Sequence, residues 1–179
     1  MIKFLRFVNM LNAAIWLRAA LFYTVSVAPA VVSRDMLALL GKNFPLYSGS
    51  VSQIVLTRYF YWHTVCAFIA LLHLLAEWLY LGRVVHRLWS GLLMVLLVLG
   101  LLGSFWLSPK LARLHRAQHY LNVRPDDREA AAKSFRLWQG VFQALNVLMI
   151  GGVTLYFWRA TNPSDALRFV NPAPAKFRS

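Results

Sequence analysis

The sequence predicts an all-α polytopic membrane protein folded as an antiparallel bundle of four transmembrane helices. Three observations carry this. Two stretches of 22 residues hold no charge, LWSGLLMVLLVLGLLGSFWLSP between Arg87 and Lys110 and LWQGVFQALNVLMIGGVTLYFW between Arg136 and Arg159. About 20 such residues cross the hydrocarbon core of a bilayer. Two further long apolar segments lie near residues 7–31 and 51–81. Hydrophobic residues make up 59% of the chain and mean hydropathy is +0.54, above the soluble norm.

Span one is expected over 7–31, with Pro29 near its exit. Lys3 and Arg6 before it, and Ala28-Pro29-Ala30 after it, have the form of a signal peptide and cleavage site. Arg18 interrupts the apolar region, so an uncleaved membrane helix is the expectation. The connection Val32 to Ser52 carries Gly41, Pro45 and Gly49 and is expected to hold a short helix in the interface. Span two, 51–81, has aromatic residues at both ends, as in an interfacial belt. Gly82 and the basic segment RVVHR predict a tight turn into span three, 88–107, which Pro109 would kink or end. Residues 110–136 form the strongly polar region, expected outside the bilayer as a partly helical cap. Asp126 or Asp127 can cap the fourth helix, which rises from about Glu129 into span four, 135–158. These spans make one domain, 1–160, followed by an extended tail, 161–179, with Pro163, Pro172 and Pro174.

The net charge of +13 does not indicate a nucleic-acid partner, because the basic residues edge apolar runs without forming an independent face. Basic loops beside membrane helices suit anionic lipid headgroups. Lysine and arginine are nearly balanced between the two sides, so the sequence sets no orientation. The single cysteine, Cys66, lies in an apolar run and reads as a small packed hydrophobe. No phosphate-binding glycine loop, His-Glu-x-x-His, cysteine pair or nucleophile elbow occurs, so a non-enzymatic role is expected.

Polar residues inside membrane helices are expensive and mark candidate sites. His73 and Glu77 are one turn apart on helix two. Counting depth from the helix ends brings Arg18 to the level of His73, within snorkelling reach of Glu77. Asn12, Arg18, His73 and Glu77 are therefore expected to form a buried polar cluster, with Arg18 and Glu77 as partners. A second polar layer gathers His63, Gln139, Gln143 and Asn146, the last three as a stripe at i, i+4 and i+7 facing a protein neighbour. Asn9 and Asn12 form a shorter stripe on helix one. Gly100, Gly103, Ser104, Gly151 and Gly152 would let helices approach closely.

No cofactor is named by the sequence. Haem b is one candidate, with His73 and then His63 as axial ligand. His115 and His119, one turn apart, could hold zinc or a haem edge, though a headgroup-facing surface suits their basic segment better. The expected role is a scaffold or accessory subunit of a larger membrane assembly, in contact with lipids and other membrane proteins. The aromatic-rich surface, with seven tryptophans and twelve phenylalanines, supports that. The alternatives are a haem- or metal-binding module and a small proton-coupled carrier titrating Glu77 against Arg18.

The segments Leu114-His115-Arg116, Ala130 to Ala132, Phe135-Arg136-Leu137-Trp138-Gln139 and Asn146-Val147 carry a resemblance. Together they are similar to a family of four-helix integral membrane proteins found in bacteria and, as a transmembrane protein, in animals. Gln139 stands where that family has a histidine, and Val147 follows the asparagine where it has leucine. The resemblance implies four membrane helices and a bacterial inner (cytoplasmic) membrane location. Animal relatives are associated with metal-containing drugs, a hint about ligands. No activity follows from it.

Overall fold

The computed structural model describes residues 2–81, 87–119 and 124–162. They form an all-α, membrane-spanning four-helix bundle, and the chain is an integral membrane protein. Four helical stretches are long and apolar enough to cross a bilayer: Phe4–Val31, Arg34–Tyr80, Arg87–His119 and Pro125–Thr161. The first comprises α1 (Ile2–Phe22), a π-helical turn (Tyr23–Val27) and α2 (Ala28–Val31). The connection holds α3 (Arg34–Leu40) and a 3₁₀ turn, Gly41–Asn43, before α4 (Phe44–Leu81). The third stretch comprises α5 (Arg87–Leu102), a second π-helical turn (Gly103–Leu107) and α6 (Ser108–His119). The last is α7 (Pro125–Thr161). The expected turn at 82–86 and most of the expected tail, 163–179, lie outside the described residues.

The elements close into a ring: α1 packs on α4, α4 on α5, and α7 on both α5 and α1. The core between them is Trp16, Phe60, Leu93, Leu96, Met149 and Val153, all almost fully buried. Outward, Phe68, Leu72, Val95, Leu148 and Leu155 are exposed, as a surface in contact with lipid acyl chains requires.

The two prolines inside membrane helices neither end them nor break them. Each follows a π-helical turn at the same offset, Tyr23–Val27 before Pro29 and Gly103–Leu107 before Pro109. Ala28 N–H donates to Tyr23 O and Ser108 N–H to Gly103 O, each reaching back five residues. A proline lacks an N–H and its ring collides with the carbonyl four residues earlier. One wider turn ahead of it re-registers the ladder, so the helix continues.

Helix starts follow local chemistry, with one departure from the sequence reading. Ser33 caps α3, its hydroxyl accepting from Met36 N at 3.2 Å. At α7 neither Asp126 nor Asp127 is the cap. Arg124 holds that position and Pro125 opens the helix, placing both aspartates in its first turn. Proline's fixed φ suits a first helical position, and carboxylates there oppose the positive end of the helix dipole. The polar region expected as a partly helical cap is helical over its described residues and continuous with the two spans. α6 prolongs span three, α7 begins well before span four, and the two pack together.

Small residues mark two of the closest approaches. A methyl at Gly103 would overlap the Phe60 ring, and one at Gly49 would overlap the His115 imidazole. Gly151, expected to serve the same purpose, is exposed with open space beside it.

Candidate functional site

Register between α1 and α4 decides where every polar residue lies. Asn12 Nδ2 donates to Cys66 O at 3.0 Å, and Trp16 Nε1 donates to His63 Nδ1 at 2.9 Å. One step forward on α1 matches roughly one step back on α4. His73 therefore faces the level of Leu5 and Arg6, and Arg18 that of Tyr61, about 18 Å away along the axis. The two do not share a level. The interhelical bonds set a register about three turns from the one depth counting assumes, and the earlier start of α1 at Ile2 accounts for only part of that offset. Arg18 is exposed, and no ion pair joins it to Glu77, which is half-buried.

The buried polar groups form three layers. On the terminal side, Tyr156 OH donates to Asn9 Oδ1, and Asn12 is beside it. Glu77, one turn from His73 on α4, is half-buried on the same side. His73 is 7% exposed, and its Nε2 is buried without a hydrogen-bond partner. The expected cluster thus splits: Asn12 joins Asn9 and Tyr156, Glu77 lies near them, and Arg18 belongs elsewhere.

At mid-bundle, His63 is 2% exposed and Trp16 1%. His63 Nε2 lies 3.0 Å from Leu96 O. A carbonyl only accepts, so Nε2 carries the proton and Nδ1 takes the indole N–H of Trp16. The imidazole is neutral, with both nitrogens engaged, and ties α1, α4 and α5 together. It is neither interfacial nor open to haem or metal, and it does not lie level with Gln139 and Gln143. The sequence neighbours Tyr61 and Trp62 suggest an interface, but both point outward on the other faces of the helix.

On the opposite side, Tyr59 OH donates to Asn146 Oδ1 at 2.7 Å. Asn146 Nδ2 donates to Thr24 Oγ1 at 2.8 Å, and Thr24 donates to Ala20 O at 2.8 Å. Tyr23 stacks on Tyr59 with ring centroids 4.4 Å apart. Of the predicted stripe on α7, Asn146 is therefore the interhelical anchor. Gln139 and Gln143 are exposed, make no hydrogen bond, and line a cavity of about 840 Å³ bounded by α2, α4, α6 and α7.

His115 and His119 sit at the rim of that cavity, ring centroids 4.6 Å apart. His115 Nε2 donates to Leu46 O at 3.1 Å, and His119 Nδ1 to His115 O at 3.0 Å. Each ring keeps one nitrogen without a hydrogen bond among the described residues. Two such nitrogens fall short of the four ligands of a structural zinc. Among the described residues, no three His, Cys, Asp or Glu side chains gather closely enough to hold a metal ion.

Trp16, Thr24, Tyr59 and Tyr156 are site residues that sequence reasoning missed. A signal for Trp16 was present: with Asn9 and Asn12 it completes an i, i+3, i+7 stripe on α1. Tyr59, His63, Cys66 and His73 similarly share a face of α4.

Fold and site together define a small integral membrane bundle whose interior polar groups mostly bond one another. The chain belongs to the family described as a domain of unknown function, DUF4149, whose pattern matches residues 11–120. The match takes in Leu114-His115-Arg116 and stops before the alanine-rich turn and the Phe135 to Gln139 segment. No curated protein and no solved structure matches the chain.

Proposed function

We propose that this chain is a non-enzymatic accessory subunit of a larger membrane assembly, and that it docks through the face of α1 bearing Arg18. The observation behind the proposal is a charge in the wrong place for a lone bundle. His63 bonds Leu96, about midway between the charges Arg87 and Lys110 that bracket span three. Trp16 bonds His63, so Arg18 lies about 3 Å along the helix from mid-bilayer. It is exposed there with no ion pair or hydrogen bond. Its distance to Arg6 is about 18 Å along the axis and to Arg34 about 24 Å, beyond what a snorkelling stem covers. An arginine facing lipid at this depth is unfavourable by at least about 2.5–3.5 kcal/mol.

The occupant that removes this penalty is a transmembrane helix of another protein with an Asp or Glu at mid-bilayer depth. Ala14 and Ala19 beside Arg18 are exposed and small, which suits close helix approach. An apolar groove of about 230 Å³, lined by Ile15, Ala19 and Trp62, runs next to it. A second copy is the poorer occupant, because no described acidic residue of this chain lies at mid-bundle: Asp35, Asp126, Asp127 and Glu129 sit near helix starts, and Glu77 lies near the terminal side.

A photo-crosslinking amino acid at Ile15 or Ala19 in cells tests this. The expected product joins α1 to a membrane segment containing a carboxylate. Arg18→Glu should abolish it, and a basic residue in place of that carboxylate should restore it. Cross-links to lipid alone, or to a partner whose capture ignores the charge at position 18, would overturn the proposal.

A second reading rests on the unpartnered Nε2 of His73. With His63 engaged on both nitrogens, His73 is the remaining axial candidate for haem b, although it lines neither cavity. A Soret band lost in His73→Ala would support it, and a colourless protein from haem-replete cells would refute it. A proton-coupled carrier would need Glu77 without Arg18 as its countercharge. The hint of metal-drug handling rests on the resemblance alone.

A further inference from the structure

We infer that the cavity at the α6 end of the bundle binds a neutral amphiphile, with its apolar body toward the bilayer and an uncharged carbonyl or hydroxyl head among glutamine side chains. The volume of about 840 Å³ lies within the range of about 300–1,000 Å³ typical of small-molecule sites. Its walls are largely apolar, including Val27, Val31, Leu56 and Phe142. Among the described residues no Asp, Glu, Lys or Arg lines it, so a charged head would enter without a countercharge.

The polar part of the wall includes three glutamines, Gln53, Gln139 and Gln143. Gln53 Oε1 is buried with no hydrogen-bond partner. Gln139 and Gln143, one turn apart on α7, make no hydrogen bond either. A carboxamide offers two donors and an acceptor, which matches a carbonyl or hydroxyl better than an ion. Asn146 at the inner end is already held by Tyr59 and Thr24, which take its oxygen and one of its N–H groups. His119 Nε2 makes no hydrogen bond among the described residues, and His119 lies on the cavity wall, within the chemistry a hydroxyl can meet.

Access is from the membrane. Val32 at the end of span one and Val147 on α7 line the cavity and are 63% and 66% exposed. An apolar chain can enter between them without crossing water. The π-helical turn contributes Tyr23, Thr24 and Val27 to the wall, so the re-registered backbone before Pro29 helps shape the space.

A membrane quinone and a diacylglycerol share this chemistry, and separate probes distinguish them. Purified full-length protein in mild detergent is titrated with decylubiquinone, with dioctanoylglycerol, and with dioctanoyl phosphatidylglycerol as the anionic comparator, and bound mass is read by native mass spectrometry. One neutral probe should be retained at one molecule per chain, in preference to the anionic one. Gln139→Leu with Gln143→Leu should weaken retention by about tenfold or more, the loss of one to two hydrogen bonds. Val147→Trp should block it at the mouth. Both glutamines and Val147 are exposed, so circular dichroism should report an unchanged fold. Retention of the quinone alone or the glycerolipid alone supports the site and names the source. Equal or better binding of the anionic probe, no neutral binding, or retention indifferent to all three substitutions would overturn the inference.

Discussion

The Trp16–His63 hydrogen bond is expected to be a strongly coupled contact at the centre of the bundle. Its length is 2.9 Å, both side chains are almost fully buried, and the rings meet edge-on with centroids 4.9 Å apart. His63→Leu keeps much of the volume but strands the indole N–H where no water reaches it. An unsatisfied buried donor is unfavourable by about 1–3 kcal/mol. Trp16→Phe strands His63 Nδ1 and leaves a void. At about 24 cal/mol per Å³, a void of roughly 40 Å³ adds about 1 kcal/mol. Combining the substitutions leaves neither partner stranded, so their sum should exceed the double variant by about 1–2 kcal/mol. That is at the upper end for hydrogen bonds between membrane helices, which average about 0.6 kcal/mol. Reversible unfolding in mixed micelles, followed by far-ultraviolet circular dichroism so that the lost tryptophan does not bias the signal, gives the four stabilities. Additivity within about 0.5 kcal/mol would refute the reasoning.

Arg18→Leu and Glu77→Leu should be additive in the same assay, and Arg18→Leu should leave the isolated bundle as stable as before or more so; measurable coupling would return the pair to the core. Asn146→Leu strands the Tyr59 hydroxyl and should destabilise by about 1–3 kcal/mol, with Tyr59→Phe in the same chain recovering part of it, as melting temperatures would show. Gly103→Ala should destabilise by about 1–3 kcal/mol through overlap with Phe60, and Phe60→Leu should relieve it; an unaffected single variant would mean the helices can part freely. Lys110, 3.7 Å above the Trp138 ring, should contribute about 0.5–1 kcal/mol, measurable as the stability lost in Lys110→Met.

Family membership was legible in unequal parts. The residues that suggested it lie mainly between Ala130 and Val147, whereas the matched pattern covers residues 11–120. The candidate site was legible where one helix decided it. The α7 stripe of Gln139, Gln143 and Asn146 is a matter of 3.6-residue periodicity, and those residues do face one side. That Asn146 bonds across helices while the glutamines open onto a cavity depends on how α2, α4 and α6 are spaced around them.

By itself the sequence determined four membrane-crossing helices and their order, because a bilayer selects for length and apolarity, and both are properties of consecutive residues. It also marked the polar residues that needed explaining. The tertiary structure alone decided their partners. Arg18 and His73 were judged level by counting from helix ends, yet the ends do not set the register: interhelical bonds fix it at Asn12–Cys66 and Trp16–His63. Pro109 reads as a kink or an end to its helix, but the π-helical turn ahead of it, packed in the bundle, carries the helix on to His119, while Pro29 lies near the exit of span one as its position implies. Register, proline accommodation and cavity shape come from contacts between segments far apart in the chain, and local periodicity does not encode the offset between two helices.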